Sequence, residues 1–218
     1  MLPVLLSLTD AITSMSESWA AENGKKISCR AGCGACCRQL VPVSELEAMH
    51  LAHVVESMPA DRREQVIQRF QQARERAAPS LRNFHAAIGG EVVEEIGKAA
   101  DPYFALSIPC PFLEEESCSI HPDRPSVCRE YLVTSSPDNC ARIDGVGVKR
   151  VPVPATVSSA LFRFNPGSET GEPKFMPLIE SLHWAAAHKN DREPLIPAGE
   201  LFRAFIRQIS GGGESPKT

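Results

Sequence analysis

The chain begins with a helical pattern over residues 2–22, where Leu5, Leu8, Ile12, Met15 and Trp19 recur at helical spacing. Asn23-Gly24 supplies its stop. A second start stands at Ser44-Glu45-Leu46-Glu47, with Ser at the N-cap and Glu three residues on, and predicts a helix to about Ser57. A further helix is expected from about Asp61 to Ala77. Its buried stripe is Val66, Phe70, Ala73 and Ala77, its other faces carry Arg, Gln and Glu, and Pro79 should break it. Phe84, Ile88, Val92 and Ile96 then keep a helical period across Gly89-Gly90. Late in the chain, Val157, Ala160, Leu161 and Phe164 mark a short helix closed by Asn165-Pro166-Gly167, and residues 167–173 read as a loop. Leu178, Ile179, Leu182 and Ala186 mark another helix. Leu201, Phe202, Phe205, Ile206 and Ile209 mark the last, with Phe202 and Phe205 expected in the core. Asp144 to Val153, with Gly145 and Gly147 as turn residues, reads as a short hairpin.

The pattern gives a mainly α fold: a helical domain with an irregular cysteine-rich metal-binding loop region. Residues 1–150 are expected to form a cysteine-cluster metal-binding domain with a helical insert at about 44–98. Residues 151–210 should form a C-terminal helical extension packing on it, and 211–218 a disordered, Gly-rich tail.

Composition narrows the function classes. In 218 residues, 43% hydrophobic and 23% charged content is that of an ordinary globular chain. A net charge of −4 argues against a nucleic-acid partner, which would call for a basic excess. The chain has no apolar run of the about 18 residues a membrane helix needs, so no membrane partner is expected. Met1 to Leu8 is short, lacks a positive flank and is followed by Asp10, which predicts no signal peptide and a cytoplasmic location with reduced thiols.

In that setting the eight cysteines change the picture. Cys29, Cys33, Cys36 and Cys37 fall within nine residues, and Cys110, Cys118, Cys128 and Cys140 form a second block far along the chain. Thiolates are preferred ligands of zinc and of iron–sulfur clusters, and clustered cysteines in a reduced chain read as metal ligands before disulfides. Cys33-x-x-Cys36 lets two sulfurs reach one ion across a tight turn, and Gly32 and Gly34 permit the close backbone approach. Pro109 and Pro111 hold Cys110 in extended backbone, while Pro122 or Pro125 opens a short helix carrying Cys128. Cys140 stands apart and fits a buried thiol as well as a ligand. Adjacent Cys36 and Cys37 should point in different directions, and eight thiols allow two four-thiolate sites or one site with spare thiols. Lys25, Lys26, Arg30, Arg38, Arg124 and Arg129 lie near cysteines and would offset an anionic centre. His50 and His53, three apart on a predicted helix, read as surface or core residues, and Glu114-Glu115-Glu116 as a solvated loop.

Cys29-x3-Cys33-Gly34-Ala35-Cys36-Cys37, Cys110-Pro-Phe-Leu and Cys118-Ser-Ile-x-x-x-Arg124-Pro125-x-x-Cys128-Arg129 together closely resemble the YkgJ-type cysteine-cluster proteins, the CxxCxxCC family of zinc- or iron-chelating domains. The resemblance covers about residues 27–141. It implies a chelated metal or iron–sulfur cluster and no settled activity. The cysteine region is also similar to flagellin lysine N-methylase, which brings in methyl transfer by analogy alone. The first gap holds three residues where the family name implies two, and His121 stands where members often carry Tyr; no ligand role is expected for it.

The readings are therefore a metal-binding protein with a structural or redox role, an enzyme of methyltransferase or redox type acting at that centre, and a metal carrier or interaction module. Cys29-x3-Cys33-x2-Cys36 matches the radical-enzyme spacing, but without the strand-then-loop setting of a long barrel.

Overall fold

In the computed structural model, residues 2–88, 100–142, 145–164, 174–190 and 197–211 are described. Helix α1 spans Leu2–Glu22. It closes as expected at Gly24 (φ 65°), where the Gly24 and Lys25 amides donate to Ala21 and Ala20 at 3.0 and 2.8 Å. Its buried face differs from the expected one: Leu2, Leu5, Thr9, Ile12, Ser16 and Ala20 face inward, whereas Met15 is 60% exposed. Hydroxyls make this face possible. Thr9, Thr13 and Ser16 donate to the carbonyls of Leu5, Thr9 and Ile12 one turn back, at 2.8, 3.0 and 3.3 Å, so small polar residues are buried with their donors satisfied.

Helix α2, Glu45–Glu56, starts on the expected capping box: the Ser44 amide donates to Glu47 Oε2 at 2.9 Å and the Glu47 amide to Ser44 Oγ at 3.3 Å. Strand β1, Pro42–Ser44, leads into it. Helix α3, Ala60–Ile88, buries Val66, Phe70, Ala73 and Ala77 as the pattern predicts, but it runs through Pro79. A helix-interior proline costs about 3 kcal/mol through a lost N–H and a clash with the carbonyl four residues back. Burying Leu81 and Phe84 beyond it returns about 1.5–3 kcal/mol each, enough to carry the helix on. The expected continuation through Val92 and Ile96 lies outside the described residues.

The chain then forms α4 (100–105), the β2–β3 hairpin (Leu113–Glu114 and Ser117–Cys118), α5 (Ser126–Glu130) and α6 (Pro137–Cys140). After these come α7 (Val157–Arg163), β4 (Phe175–Pro177), α8 (Ser181–Ala187) and α9 (Ala198–Gly211). β4 pairs antiparallel with β1, Val43 opposite Met176. Strands this short have no alternation to read in sequence. The expected hairpin after Asp144 forms differently over its described part: residues 149–151 pair with 132–134, with the Thr134 and Val151 amides bonding the Lys149 and Leu132 carbonyls at 2.9 and 2.8 Å. The expected loop at 167–173 and the tail beyond 211 lie outside the described residues.

Three apolar clusters hold this mainly α frame. Leu2, Leu5, Leu6 and Ile12 pack with Val157, Leu161 and Phe205. Val43, Leu51 and Val55 pack with Val66, Phe70 and Phe112, and this cluster carries Cys110 and Cys118 at its edge. Ala73, Ala77 and Leu81 pack with Tyr103, Ile108 and Ile179. Phe205 is fully buried, but Phe202, also expected in the core, is 45% exposed, since it lies about 60° round α9 from Phe205, at the edge of the buried stripe. Among the described residues no helix is long and apolar enough to cross a membrane.

Candidate metal centre

The first cysteine block is a string of tight turns held from outside. The Ser28 amide donates to Val133 O at 2.9 Å, and the Cys33 amide to Arg30 O at 3.1 Å. A 3-10 turn over Ala35–Arg38 follows, closed by Cys37 N–H on Gly34 O at 3.0 Å and Gln39 N–H on Cys36 O at 3.1 Å. A Cβ at Gly34 would stand 2.4 Å from Glu116 Oε2 and 2.9 Å from Leu113 Cδ1, so a larger residue would push the ends of these two side chains aside.

The second block meets this string directly. The Cys110 amide donates to Cys37 O at 2.7 Å, the Leu113 amide to Cys110 O at 2.8 Å, and the Gly32 amide to Ser117 Oγ at 3.0 Å. In the β2–β3 hairpin Leu113 stands opposite Cys118. The hairpin turn is Glu115-Glu116, with φ of 49° and 56°. Both are left-handed positions that a primed turn usually fills with Asn or Gly, which hid the hairpin from the sequence. Arg38 spans the Glu116 carboxylate at 2.6 and 3.1 Å and also bonds Gly34 O, while Arg69 and Arg62 bond Glu114 at 2.9 and 3.3 Å. Two of the three glutamates expected in a solvated loop are thus tied to arginines.

Cys128 lies on α5 and Cys140 ends α6. Gln39 Nε2 donates to Cys140 O at 3.2 Å, and the Cys29 thiol to Tyr131 O at 3.8 Å. Cys140, grouped by sequence with the second block, thus returns to the first. Adjacent Cys36 and Cys37, expected to point in different directions, both lie on the Ala35–Arg38 turn.

All eight cysteines are free; Cys140 is buried and the other seven half-buried. Burial pushes Cys110 up to about 12, with the like charges of Cys118 and Cys36 adding to it. Cys128 is raised well above the ordinary thiol value by burial, then by Cys110, Cys36 and Cys118. Burial likewise raises Cys29, Cys118 and Cys140, each facing Cys36. Cys36 itself is raised by its hydrogen bond with Cys37 and then by burial. The chemistry is that of desolvated thiols kept protonated because their thiolates would repel, and a thiophilic cation that displaces their protons offsets both penalties.

Arg124 fits the same picture. Its Nε is buried without a hydrogen-bond partner among the described residues, and its charge works against the rise of the Cys29, Cys36, Cys118 and Cys128 thiols. An orphaned donor beside four thiols matches an anionic metal–thiolate centre. The other cations are engaged or outside: Lys25 lies over the Trp19 ring at 4.4 Å, Arg38 holds Glu116, and Lys26 and Arg30 are exposed. Arg129 donates from Nε to Arg124 O at 2.8 Å and also bonds Pro122 O and the Asp10 carboxylate, so it fixes the loop that presents Arg124. The thiols are gathered but not closed: among the described residues, no three His, Cys, Asp or Glu side chains stand in ion-holding geometry.

Two features escaped sequence reasoning. Glu47, legible as a cap, also accepts the Ser126 amide at 2.7 Å through Oε1, and Glu130 accepts the Ser158 amide at 3.1 Å. These buried carboxylates tie the helix of Cys128 to α2 and α7, and their partners lie too far along the chain to be paired from sequence. His50 finds Asp123 at 2.9 Å, while His53 is exposed, so the two histidines do not share a site. His121 is exposed.

A protein-family model described as "CxxCxxCC: Putative zinc- or iron-chelating domain" matches residues 28–144, just over half of the chain, and encloses all eight cysteines. No curated protein and no solved structure matches.

Proposed function

Because the chain belongs to the CxxCxxCC family of zinc- or iron-chelating domains, we propose that it is a metal-binding protein that holds zinc or iron through Cys29, Cys33, Cys36, Cys37, Cys110, Cys118, Cys128 and Cys140. The observation that carries this reading is the bonding of the later cysteine segments to the first, Cys110 N–H on Cys37 O at 2.7 Å and Gln39 Nε2 on Cys140 O at 3.2 Å, with every thiol free. Bound zinc would supply a structural crosslink, and an iron–sulfur cluster a one-electron couple. Around either group the residues have defined work. The 3-10 turn and the hairpin present sulfurs, Arg124 offsets their charge, and Glu47 and Glu130 hold α5 in place. In this reading residues 1–150 carry the centre and the later helices brace it, through β4 on β1 and α8 on α2. A reducing, cytoplasmic compartment keeps the eight thiols available for metal.

Anaerobic purification followed by elemental analysis, sulfide assay and visible spectroscopy tests the reading. Stoichiometric zinc in a colourless protein assigns structural chelation. Iron with acid-labile sulfide and a visible charge-transfer band assigns a cluster. Neither metal, with eight titratable thiols, overturns it.

A further inference from the structure

Helix α1 carries apolar residues on two faces, and the core uses one. Leu2, Leu5, Thr9, Ile12, Ser16 and Ala20 face inward. On the other side Val4, Leu8, Ala11, Met15, Ser18 and Glu22 succeed one another at spacings of four and three residues in turn, the seam pattern of a paired helix. On an α-helix this seam lies roughly 140° round from the inner face. Val4 is 57% exposed, Ala11, Met15 and Ser18 are exposed, and Leu8 and Trp19, at the seam's edge, are half-buried. Of the apolar residues expected inside, Leu8, Met15 and Trp19 therefore mark this outer seam. Nothing among the described residues covers its centre at Ala11 and Met15.

The seam fits a second copy of itself running the other way. About its midpoint the pattern is self-complementary. In an antiparallel pair, Met15 of each copy meets Ala11 of the other, so a large side chain faces a small one. Leu8 meets Trp19 along one edge, and Ser7 meets Ser18 along the other, where small residues let the backbones approach.

Charge sets the direction. α1 has no acidic residue in its first turn and no basic residue in its last, so its dipole is uncompensated at both ends, and Glu22 stands at the unfavourable one. Antiparallel pairing brings Glu22 of each copy beside Val4 in the first turn of the other, where free N–H groups stabilise a carboxylate. Parallel pairing would set Glu22 against Glu22. The charged residues of α1, Asp10, Glu17 and Glu22, are all acidic, which disfavours an anionic membrane as the occupant.

We propose that the protein forms a two-fold dimer through antiparallel pairing of α1, with Ala11 and Met15 at its centre. The inner face stays free to hold α5, through the Thr9 hydroxyl on Ser126 Oγ at 3.3 Å, so dimerisation does not depend on the metal reading.

Sedimentation equilibrium of the full chain, purified anaerobically, tests this across micromolar to submillimolar concentrations. The mass should rise from one chain to two. Met15→Glu and Ala11→Lys should each stay at one chain, and an equimolar mixture of the two should return to two chains, because Lys at 11 then meets Glu at 15 of the other copy. Val4→Glu, which sets a second carboxylate against Glu22, stands in for either variant should circular dichroism show it misfolded, and should also stay at one chain. Ile67→Glu, at an exposed position of α3, should dimerise as the parent does. A one-chain mass throughout, a dimer that survives Met15→Glu, or a variant mixture that stays monomeric overturns the proposal. So does a monomer that binds phosphatidylcholine vesicles through this face and loses that binding in Met15→Glu.

Discussion

Between α2 and α3, Val43, Leu51, Val55, Val66 and Phe70 bury one another with no more than 3% of any of them exposed. Between residues 28–39 and 110–118 the joins are of another kind: Gly32 on Ser117, Cys110 on Cys37 and Arg38 on Glu116, around desolvated thiols. Apolar burial yields about 1.5–3 kcal/mol for each large side chain, whereas a hydrogen bond nets only about 1 kcal/mol. The frame therefore has its own source of stability. In the proposed reading the thiol region draws its stability from an ion, and structural zinc in small domains supplies about 10–16 kcal/mol. If the proposed chelation holds, the helices are the platform and the cysteine loops should close when metal arrives.

Metal removal should break the molecule along this line. Stripping the native metal anaerobically with a strong chelator should abolish hydrogen-exchange protection at the Cys37, Gln39 and Cys110 amides and leave the middle of α3 protected. Loss of protection in both regions together would show a single cooperative unit instead.

A smaller effect is expected from the opposite side. Phe70→Ala removes a ring that packs edge-on against Phe112 at 5.3 Å and should cost about 3–5 kcal/mol in denaturant unfolding of the metal-loaded protein. At saturating metal the bound equivalents should stay as in the parent. A loss below about 1 kcal/mol would mean that this cluster does not support the frame.

Arg124→Gln probes the join between the two regions and is the gentlest change. Removing a charge beside metal-bound sulfur should weaken metal affinity about ten- to a hundredfold. The unfolding midpoint of the metal-free protein should barely move, since the Arg124 Nε has no partner to lose. Unchanged affinity in a competition titration would show that Arg124 does not offset the thiolates.

What the sequence made legible follows the same division. α1, α2 and α3 were readable because their causes are local: Asn23-Gly24 as a stop, Ser44 with Glu47 as a cap, and Val66, Phe70, Ala73 and Ala77 at helical spacing. Where tertiary burial outweighed a local rule, local reading failed: Pro79 sits inside α3 because Leu81 and Phe84 are buried beyond it, and Met15 faces out because Thr9 and Ser16 satisfy themselves inside. The cysteines were visible as a site, but their grouping was not. Cys140 reaches the first block only because residues 132–134 pair with 149–151 and α6 packs on the Ala35–Arg38 turn, neither of which leaves a mark on nearby residues. Glu115-Glu116 concealed a turn that Asn-Gly would have announced.

The return of Cys140 to the first block has a consequence for biosynthesis. Cys29 to Cys37 emerge early, yet their partner Cys140 is roughly a hundred residues behind them, about 5–20 s at ordinary rates of synthesis. During that interval the nascent chain displays its early thiols without Cys140, with Cys110, Cys118 and Cys128 arriving only in the last third of the wait. Such a chain fares best where free copper is scarce and peroxide is low, because either reagent would reach the early cysteines before the ribosome delivers the last one.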